Sequence, residues 1–429
     1  MESSVILITS SFPFGKGESF LETEIEFLSK HFSRVLILPT SKIEGIKKRS
    51  LPNNCFTDTS IIQKKNTESI YGRFFSKIFG VIRFPPFYRE IKYLFPRRFN
   101  TSTFSNLLLF SRDAVLTRKA INNLLNKTEI ASQKTILYSY WLNGTALGAT
   151  YNKKDIPVIS RVHRGDLYDN LYSKNYIPYR RITLNKLVHV FPISKTGVNY
   201  LEDRFPALKD KISLSRLGIN IPDKDPAKST SVNTRRIVSC SAIDQNKRVD
   251  QIALSLKLFA ENNPSKNLIW HHFGDGYLKQ KIERIVSEFP TNLKAVLHGH
   301  VQNKKLLDWY RKNDVDLFIN LSRSEGIPVS IMEAYGFGIP CIATNVGGTS
   351  EIVTKQNGWL IDSSFTVDSI SKLLFIALSN ESLRFEKAKE SKKTCEQFFN
   401  SKKNYPQFIH LIKTLYLKKH IKSQFPKPL

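Results

Sequence analysis

Acidic side chains are scarce in this chain of 429 residues: 37 Asp and Glu stand against 65 Lys and Arg, a formal net charge of +28. An imbalance of that size makes phosphates, nucleic acid or a membrane surface the partners to consider. Cysteine is also sparse. Cys55, Cys240, Cys341 and Cys395 are widely scattered with no CxxC pair, which argues against a disulfide framework or a zinc site and for a reducing compartment. Long apolar runs are missing: nothing approaches the ~18–20 residues of a membrane-spanning helix. The N-terminus, MESSVILITSSFPF, lacks the basic flank and apolar length of a signal peptide. These absences lead to the expectation of a cytoplasmic protein, peripheral at the inner face of the cell membrane.

The membrane part of that expectation comes from residues 71–98, YGRFFSKIFGVIRFPPFYREIKYLFPRR. Seven Lys or Arg and nine aromatics share this stretch with a single acid, Glu90. Phe74, Phe75, Ile78, Phe79 and Ile82 fall at helical spacing, with Arg73, Lys77 and Arg83 at other positions. A basic amphipathic segment rich in aromatics reads as an element lying on an anionic membrane surface. Nucleic acid would feel the same attraction, but no reader motif accompanies it, so nucleic acid is not expected as a partner.

A chain of this length exceeds one ordinary core, so two domains are expected. Short β-branched runs alternate with amphipathic helices: VILITS (5–10), RVLILP (34–39), TILYSYW (135–141), VISRV (158–162), VHVFPIS (188–194) and KISLSRLG (211–218) read as strands. Residues 221–235, IPDKDPAKSTSVNTR, are polar and patternless and read as a linker. The alternation restarts at RRIVSCSAI and runs on through NLIWHHF, AVLHGHV, VDLFINLS and PCIATNV, with helices at 247–262, 277–288, 303–312 and 328–337. The fold expected is α/β, of two Rossmann-like doubly wound parallel-sheet domains facing a cleft. Residues 1–220 form the first, 236–400 the second, and 401–429 a helical tail packing back on the first.

Residues 324–334, SEGIPVSIMEA, place two of the rare acids around a Gly-Ile-Pro break. Eight residues apart on one unbroken helix, two carboxylates lie ~12 Å along the axis and do not converge. With Pro328 at the first helical position, Glu325 belongs to the preceding loop and Glu333 to the second turn. The helix N-terminus between them is suited to phosphate. Carboxylates beside it are suited to sugar hydroxyls. That combination describes a receptor for a nucleotide sugar.

The stretch SRSEGIPVSIMEAYGFGIPCIATNVGGTSEIV resembles the Glu-x7-Glu region of glycosyltransferase family 4, retaining enzymes of GT-B architecture. NKRVD, HFGDGYL, HGHVQNKKLLDWYRKNDVDLFINLSRS and NGWLID follow the family's order. In the first half, FPFGKGESFLETEIEFLSKHF, YSYWLNGTALGA, ISRVHRGDLY and FPISKTGVNYLEDRFPALKDKISLSRLGI are similar too. The resemblance implies a retaining, metal-independent hexosyltransferase without a resident cofactor. Its substrates would be a UDP- or GDP-linked nucleotide sugar and a glycan or polyprenyl-diphosphate-linked acceptor of a bacterial cell-surface polysaccharide (capsule, exopolysaccharide or lipopolysaccharide).

By the same resemblance, Glu325 would bind the donor sugar and Glu333 the ribose, with the backbone of Gly326, Ile327 and Val329 meeting sugar and diphosphate. Lys247 would neutralise the leaving diphosphate. The family's Gly-Arg-Leu triplet is here Ser241-Ala242-Ile243, so one phosphate-binding arginine is missing; Arg248 is the candidate to replace its charge. Gly15 and Gly17 end the first strand, where backbone can approach phosphate or sugar. His163 would stand near donor and acceptor, and Arg164 and Asp166 near the acceptor.

Other signals carry less. Asp314-Val315-Asp316 imitates a metal-binding DxD but begins a buried strand. His271 and His272 point to opposite faces. His298 and His300 share one face with no further ligand type to complete a set. Two rival functions remain at this stage: a nucleotide-sugar epimerase of the same architecture, and a non-catalytic basic protein binding membrane or nucleic acid.

Overall fold

The computed structural model describes residues 3–15, 17–41, 48–67, 81–82, 84–127, 134–224 and 234–424. Most of the expected aromatic stripe, Phe74, Phe75, Ile78 and Phe79, and residues 225–233 of the expected linker lie outside them, as does Lys16.

The chain divides into two units, residues 1–216 with 405–429 and residues 217–404. Each is built on a six-stranded parallel sheet. In the first, β1 (Ser3–Thr9), β2 (Arg34–Pro39), β3 (Cys55–Thr57), β4 (Lys134–Ser139), β5 (Val158–Val162) and β6 (His189–Pro192) lie in the order β3-β2-β1-β4-β5-β6. In the second, β7 (Thr234–Cys240), β8 (Asn267–Phe273), β9 (Leu293–Leu297), β10 (Leu317–Asn320), β11 (Cys341–Thr344) and β12 (Gly358–Ile361) lie in the order β12-β11-β10-β7-β8-β9. Counted within each unit, both orders are 3-2-1-4-5-6. The strand sequence therefore reverses between β1 and β4 and between β7 and β10, and ligands of such sheets bind beyond the strand ends at that reversal.

Helices cover both faces of these sheets because alternate strand residues point opposite ways. Ile6 and Ile8 enter one apolar cluster and Val5 and Leu7 the other. In the second unit the helix Val249–Asn262 buries Val249, Ile252, Ala253, Leu256, Phe259 and Ala260, an i, i+3, i+4, i+7 stripe. The last helix, Ser401–Gln424, carries Phe408, Ile409 and Ile412 into the core of the first unit. Among the described residues, no helix is long and apolar enough to cross a membrane.

Two local expectations need correction. Residues 211–218 are not a strand; Ile212 makes only an isolated bridge to Val190, and Pro206–Lys211 before it is a 3-10 helix. Pro328 is not the first helical residue but the extended N-cap, at ψ 116°, of the helix Val329–Gly336. Its carbonyl opens the helix by accepting from the N–H groups of Ile331 and Met332, at 3.1 and 3.2 Å.

Candidate active site

In the second unit, the loops after β7 and β10 are tied together at the strand reversal. Arg323 donates its N–H to the Asn246 carbonyl at 2.7 Å, and Asn246 Nδ2 donates to the Ser324 carbonyl at 3.2 Å. The Asp244 carboxylate accepts the N–H of Lys247 at 2.8 Å and pins the backbone at that residue. Lys247 Nζ then reaches Glu325 Oε1 at 2.5 Å. Glu325 is almost buried, and the ammonium keeps a side-chain exposure of 25%.

The Glu325 loop is held from behind by a glycine turn. Gly348 donates to the Gly326 carbonyl at 2.9 Å. Gly347 has φ +53°, and a Cβ there would come within 1.9 Å of the Glu325 carbonyl oxygen. Glycine at 347 is therefore a requirement of the close approach. Past the turn, the backbone N–H groups of Gly326, Ile327 and Val329 find no acceptor among the described residues, as expected at the start of a helix. Glu333 is buried on the helix's second turn, where Oε1 accepts from Asn303 Nδ2 at 2.6 Å. The structure thus brings Lys247, Glu325 and the N–H groups of 326–329 together.

Arg248 has another use. At φ +50° it turns its side chain onto the end of β10. Nε, Nη2 and Nη1 donate to the carbonyls of Leu321, Ser322 and Ser363 at 2.6, 3.2 and 3.0 Å, and the guanidinium lies 4.5 Å over Phe365. It braces the loop that presents Glu325. Arg323, which sequence reasoning passed over, lines a cavity of about 770 Å³ with Gln245, Asn246, Arg248 and Lys281. Its signal was its place inside SRSEG.

The loop after β8 approaches the β7 loop just as closely. A Cβ on Gly274 would meet the Ser241 carbonyl oxygen at 1.7 Å, and one on Gly276 that of Ile243 at 2.3 Å. Asp316 is buried on Arg235 and Arg384 at 3.3 and 3.4 Å, and Asp314 pairs with Lys224 at 3.1 Å. His271 and His298, not read as partners, are joined at 3.0 Å between Nδ1 and Nε2.

The first unit places its candidates at the ends of β1, β4 and β5. His163 follows β5 and is buried among Phe20, Tyr140 and Trp141, whose ring centroids lie 5.8, 4.7 and 4.6 Å away. Neither of its ring nitrogens has a hydrogen-bond partner among the described residues. Burial, helped by the charge of Arg161, keeps its pKa well below the ordinary histidine value. It is a neutral imidazole. Asp166 faces inward, accepting the N–H groups of His163 and Leu142 at 2.7 and 2.5 Å. Burial pushes its carboxyl up to about 7 against those hydrogen bonds. Arg164 is half-exposed at the start of the same turn.

Beneath His163, Arg161 and Glu24 form a fully buried pair at 3.1 Å. Tyr138 bridges them, accepting from Arg161 Nε and donating to Glu24 Oε1, both at 2.8 Å. Gly15 (φ +77°) and Gly17 precede a residue the sequence did not reveal as important. Glu18 accepts the N–H groups of Ser10, Ser11 and Phe12 at 2.8, 2.6 and 2.7 Å, and Trp141 Nε1 at 2.6 Å. Arg49 then closes the loop by donating to the carbonyls of Gly15 and Gly17 at 2.7 and 2.8 Å. A glutamate directly after Gly-Lys-Gly was the available signal.

Residues 221–394 match the model of glycosyl transferases group 1. The second unit belongs to that family. Among curated relatives, the GtfA subunit of a UDP-N-acetylglucosamine–peptide N-acetylglucosaminyltransferase from Streptococcus agalactiae is 27% identical over 39% of this chain and 33% of its own length. A UDP-Gal:α-D-GlcNAc-diphosphoundecaprenol α-1,3-galactosyltransferase from Escherichia coli is 28% identical over 38% of this chain and 41% of its own. The matches thus span about a third to two fifths of these two relatives. Over nearly the whole chain the fold is that of solved glycosyl transferases. The crystal structure of TarM superposes with a TM-score of 0.65 at 11% identity, covering 97% of this chain and 99% of TarM. The architecture is GT-B, as the sequence implied.

Proposed function

We propose that the protein is a retaining glycosyltransferase that moves a hexosyl group from a UDP- or GDP-linked sugar to a glycan or polyprenyl-diphosphate-linked oligosaccharide during assembly of a bacterial surface polysaccharide. The observation that carries this reading is the Lys247–Glu325 pair at 2.5 Å beside the unsatisfied N–H groups of Gly326, Ile327 and Val329. The UDP-linked donors and lipid-linked acceptor in the relatives' names support it.

In this reading the diphosphate lies against the N–H groups of 326–329 and the Lys247 ammonium, which is shared between Glu325 and the phosphates. As the glycosidic bond to phosphate breaks, negative charge grows on the leaving oxygen. Donors already aimed at that oxygen stabilise it without reorganising. Glu325 accepts from donor-sugar hydroxyls and Glu333 from the ribose. The acceptor hydroxyl attacks from the face the diphosphate leaves and hands its proton to the departing phosphate, so no separate base is required. In the first unit, neutral His163 offers either a donor or an acceptor nitrogen to a substrate hydroxyl. Because its burial disfavours the imidazolium, it acts by hydrogen bonding and not by charge.

The test is consumption of UDP- and GDP-linked sugars with a lipid-linked acceptor mixture and a chelator, for the parent and Glu325→Ala. Turnover by the parent, an axial product linkage from an axial donor, and collapse in Glu325→Ala are expected. No donor consumed by the parent would sink the transferase reading. Activity abolished by the chelator would remove the metal-independent mechanism. Equal donor loss without acceptor would favour the epimerase.

A further inference from the structure

The helix Pro86–Arg98 has two faces of opposite character. Phe87, Glu90 and Leu94, at i, i+3 and i+7, are buried, Phe87 and Leu94 in one apolar cluster with Phe84 and Leu107. The opposite stripe is exposed: Tyr88, Lys92, Phe95 and Phe99 follow at i, i+4, i+7 and i+11. Phe95 is 56% exposed and Phe99 45%. Their rings stack at 4.5 Å, and Phe99 lies 6.0 Å from Phe104 across the turn to the next helix, so the aromatic surface is continuous.

Charge follows the same division. From Phe84 to Arg112 the only acid is Glu90. It is turned inward, where Tyr176 Oη and the Tyr179 N–H each donate to it at 2.8 Å. Burial raises its pKa. Arg89 and Lys92 are left on the outer face with no acid of the helix beside them. Arg98 donates to the Asn175 carbonyl and anchors the helix end to the loop behind it.

We propose that this face docks the protein on an anionic lipid bilayer, with Tyr88, Phe95 and Phe99 at headgroup depth and Arg89 and Lys92 on lipid phosphates. Neither element suffices alone, since stable interfacial binding needs apolar area together with electrostatic attraction. The stripe presents both. A single-stranded nucleic acid also stacks on aromatics over a basic track. Here, however, Ile82 at 47% exposure and the exposed Pro96 extend the surface, and neither offers an aromatic face for a base to stack on. The docking residues lie C-terminal to the stripe expected from the sequence. The inference leans on the proposed activity only in bringing a lipid-linked acceptor to the same surface.

Vesicle binding tests it without donor or acceptor, so its failure and that of the transferase reading are separable. The parent, Phe95→Ser/Phe99→Ser and Arg89→Glu/Lys92→Glu are co-sedimented with vesicles of phosphatidylglycerol and phosphatidylcholine in equal parts, with pure phosphatidylcholine, and with single-stranded DNA as competitor. The parent is expected to bind the anionic vesicles only, more weakly as salt is raised. Each double variant is expected to bind about tenfold more weakly or worse, with an unchanged melting temperature because these side chains are exposed. Undiminished binding by both variants, equal binding to neutral vesicles, or DNA displacing the parent from anionic vesicles would each overturn the proposal.

Discussion

Lys247 and Glu325 are 78 positions apart in the chain and meet at 2.5 Å, Nζ to Oε1, across the ends of two adjacent strands. The contact exists because β7 and β10 are neighbours at the point where the strand order reverses. A partly exposed pair of this kind contributes little to stability, about 0–1 kcal/mol. Its interest is chemical, since it holds a cation and a carboxylate beside a helix N-terminus whose leading N–H groups have no acceptor among the described residues.

Lys247→Met should therefore separate chemistry from folding. Turnover of the nucleotide sugar is expected to fall about a hundredfold or more, with a melting temperature close to the parent's. Unchanged turnover would remove Lys247 from the diphosphate.

Gly347→Ala should do the reverse. Its φ of +53° and the 1.9 Å approach to the Glu325 carbonyl leave no room for a Cβ. A loss on the order of 1–3 kcal/mol is expected from strain alone, measured by denaturant unfolding, with turnover falling as the Glu325 loop is pushed out of place. An undisturbed variant would mean that the loop has room to move.

Arg161→Met should be severely destabilising, by about 3–5 kcal/mol, because it leaves the Glu24 carboxylate buried without its cation. Adding Glu24→Leu should recover much of the loss, which chemical denaturation of the two variants would show. If the double variant is no better than the single one, packing and not charge dominates the site.

The pH dependence follows from histidines buried as neutral rings. Burial holds His163 well below the ordinary value and brings His189 and His272 to about 4. Between pH 4 and ~6.5 the unfolded chain takes up protons that these rings refuse. Their stabilisation is complete above ~6.5 and is lost as pH falls towards 4. Asp166, pushed up to about 7, and Glu90, also raised, work in the opposite direction, their contribution weakening as pH rises. The histidines outnumber them, so the melting temperature should drop between pH 7 and pH 5. A rise over that interval would contradict the burial of these rings.

What the sequence disclosed depended on whether a feature was local. β2, β5 and β8 were readable to the residue as short runs rich in apolar and aromatic residues; β5 is buried throughout and β2 from Val35 on, as parallel strands covered on both faces are. Ile212 looked the same in sequence, yet only one bridge to Val190 formed, since a strand needs a partner as well as a propensity. β3, at three residues, is too short to show a period. The placement of Glu325 in a loop and Glu333 on the following helix was legible, because the Gly-Ile-Pro break marks where the helix begins. The use of Arg248 was not, since a positive φ decides which carbonyls its guanidinium meets. Glu18 was missed for a similar reason: its four donors come from two different strand ends. In the basic aromatic stretch, burial of Phe87, Glu90 and Leu94 decides which side of the helix Pro86–Arg98 faces out, which composition alone does not show.

The chain leaves the first unit at Arg216 and returns to it at Tyr405, so that Phe408 covers the Arg161 guanidinium at 4.2 Å only with the last stretch of sequence. The second unit is continuous from Leu217 to Asn404. During vectorial synthesis the domain made second is thus the first that can be finished. The one that emerges first waits, its buried ion pair still open to water, until the final helix has been translated.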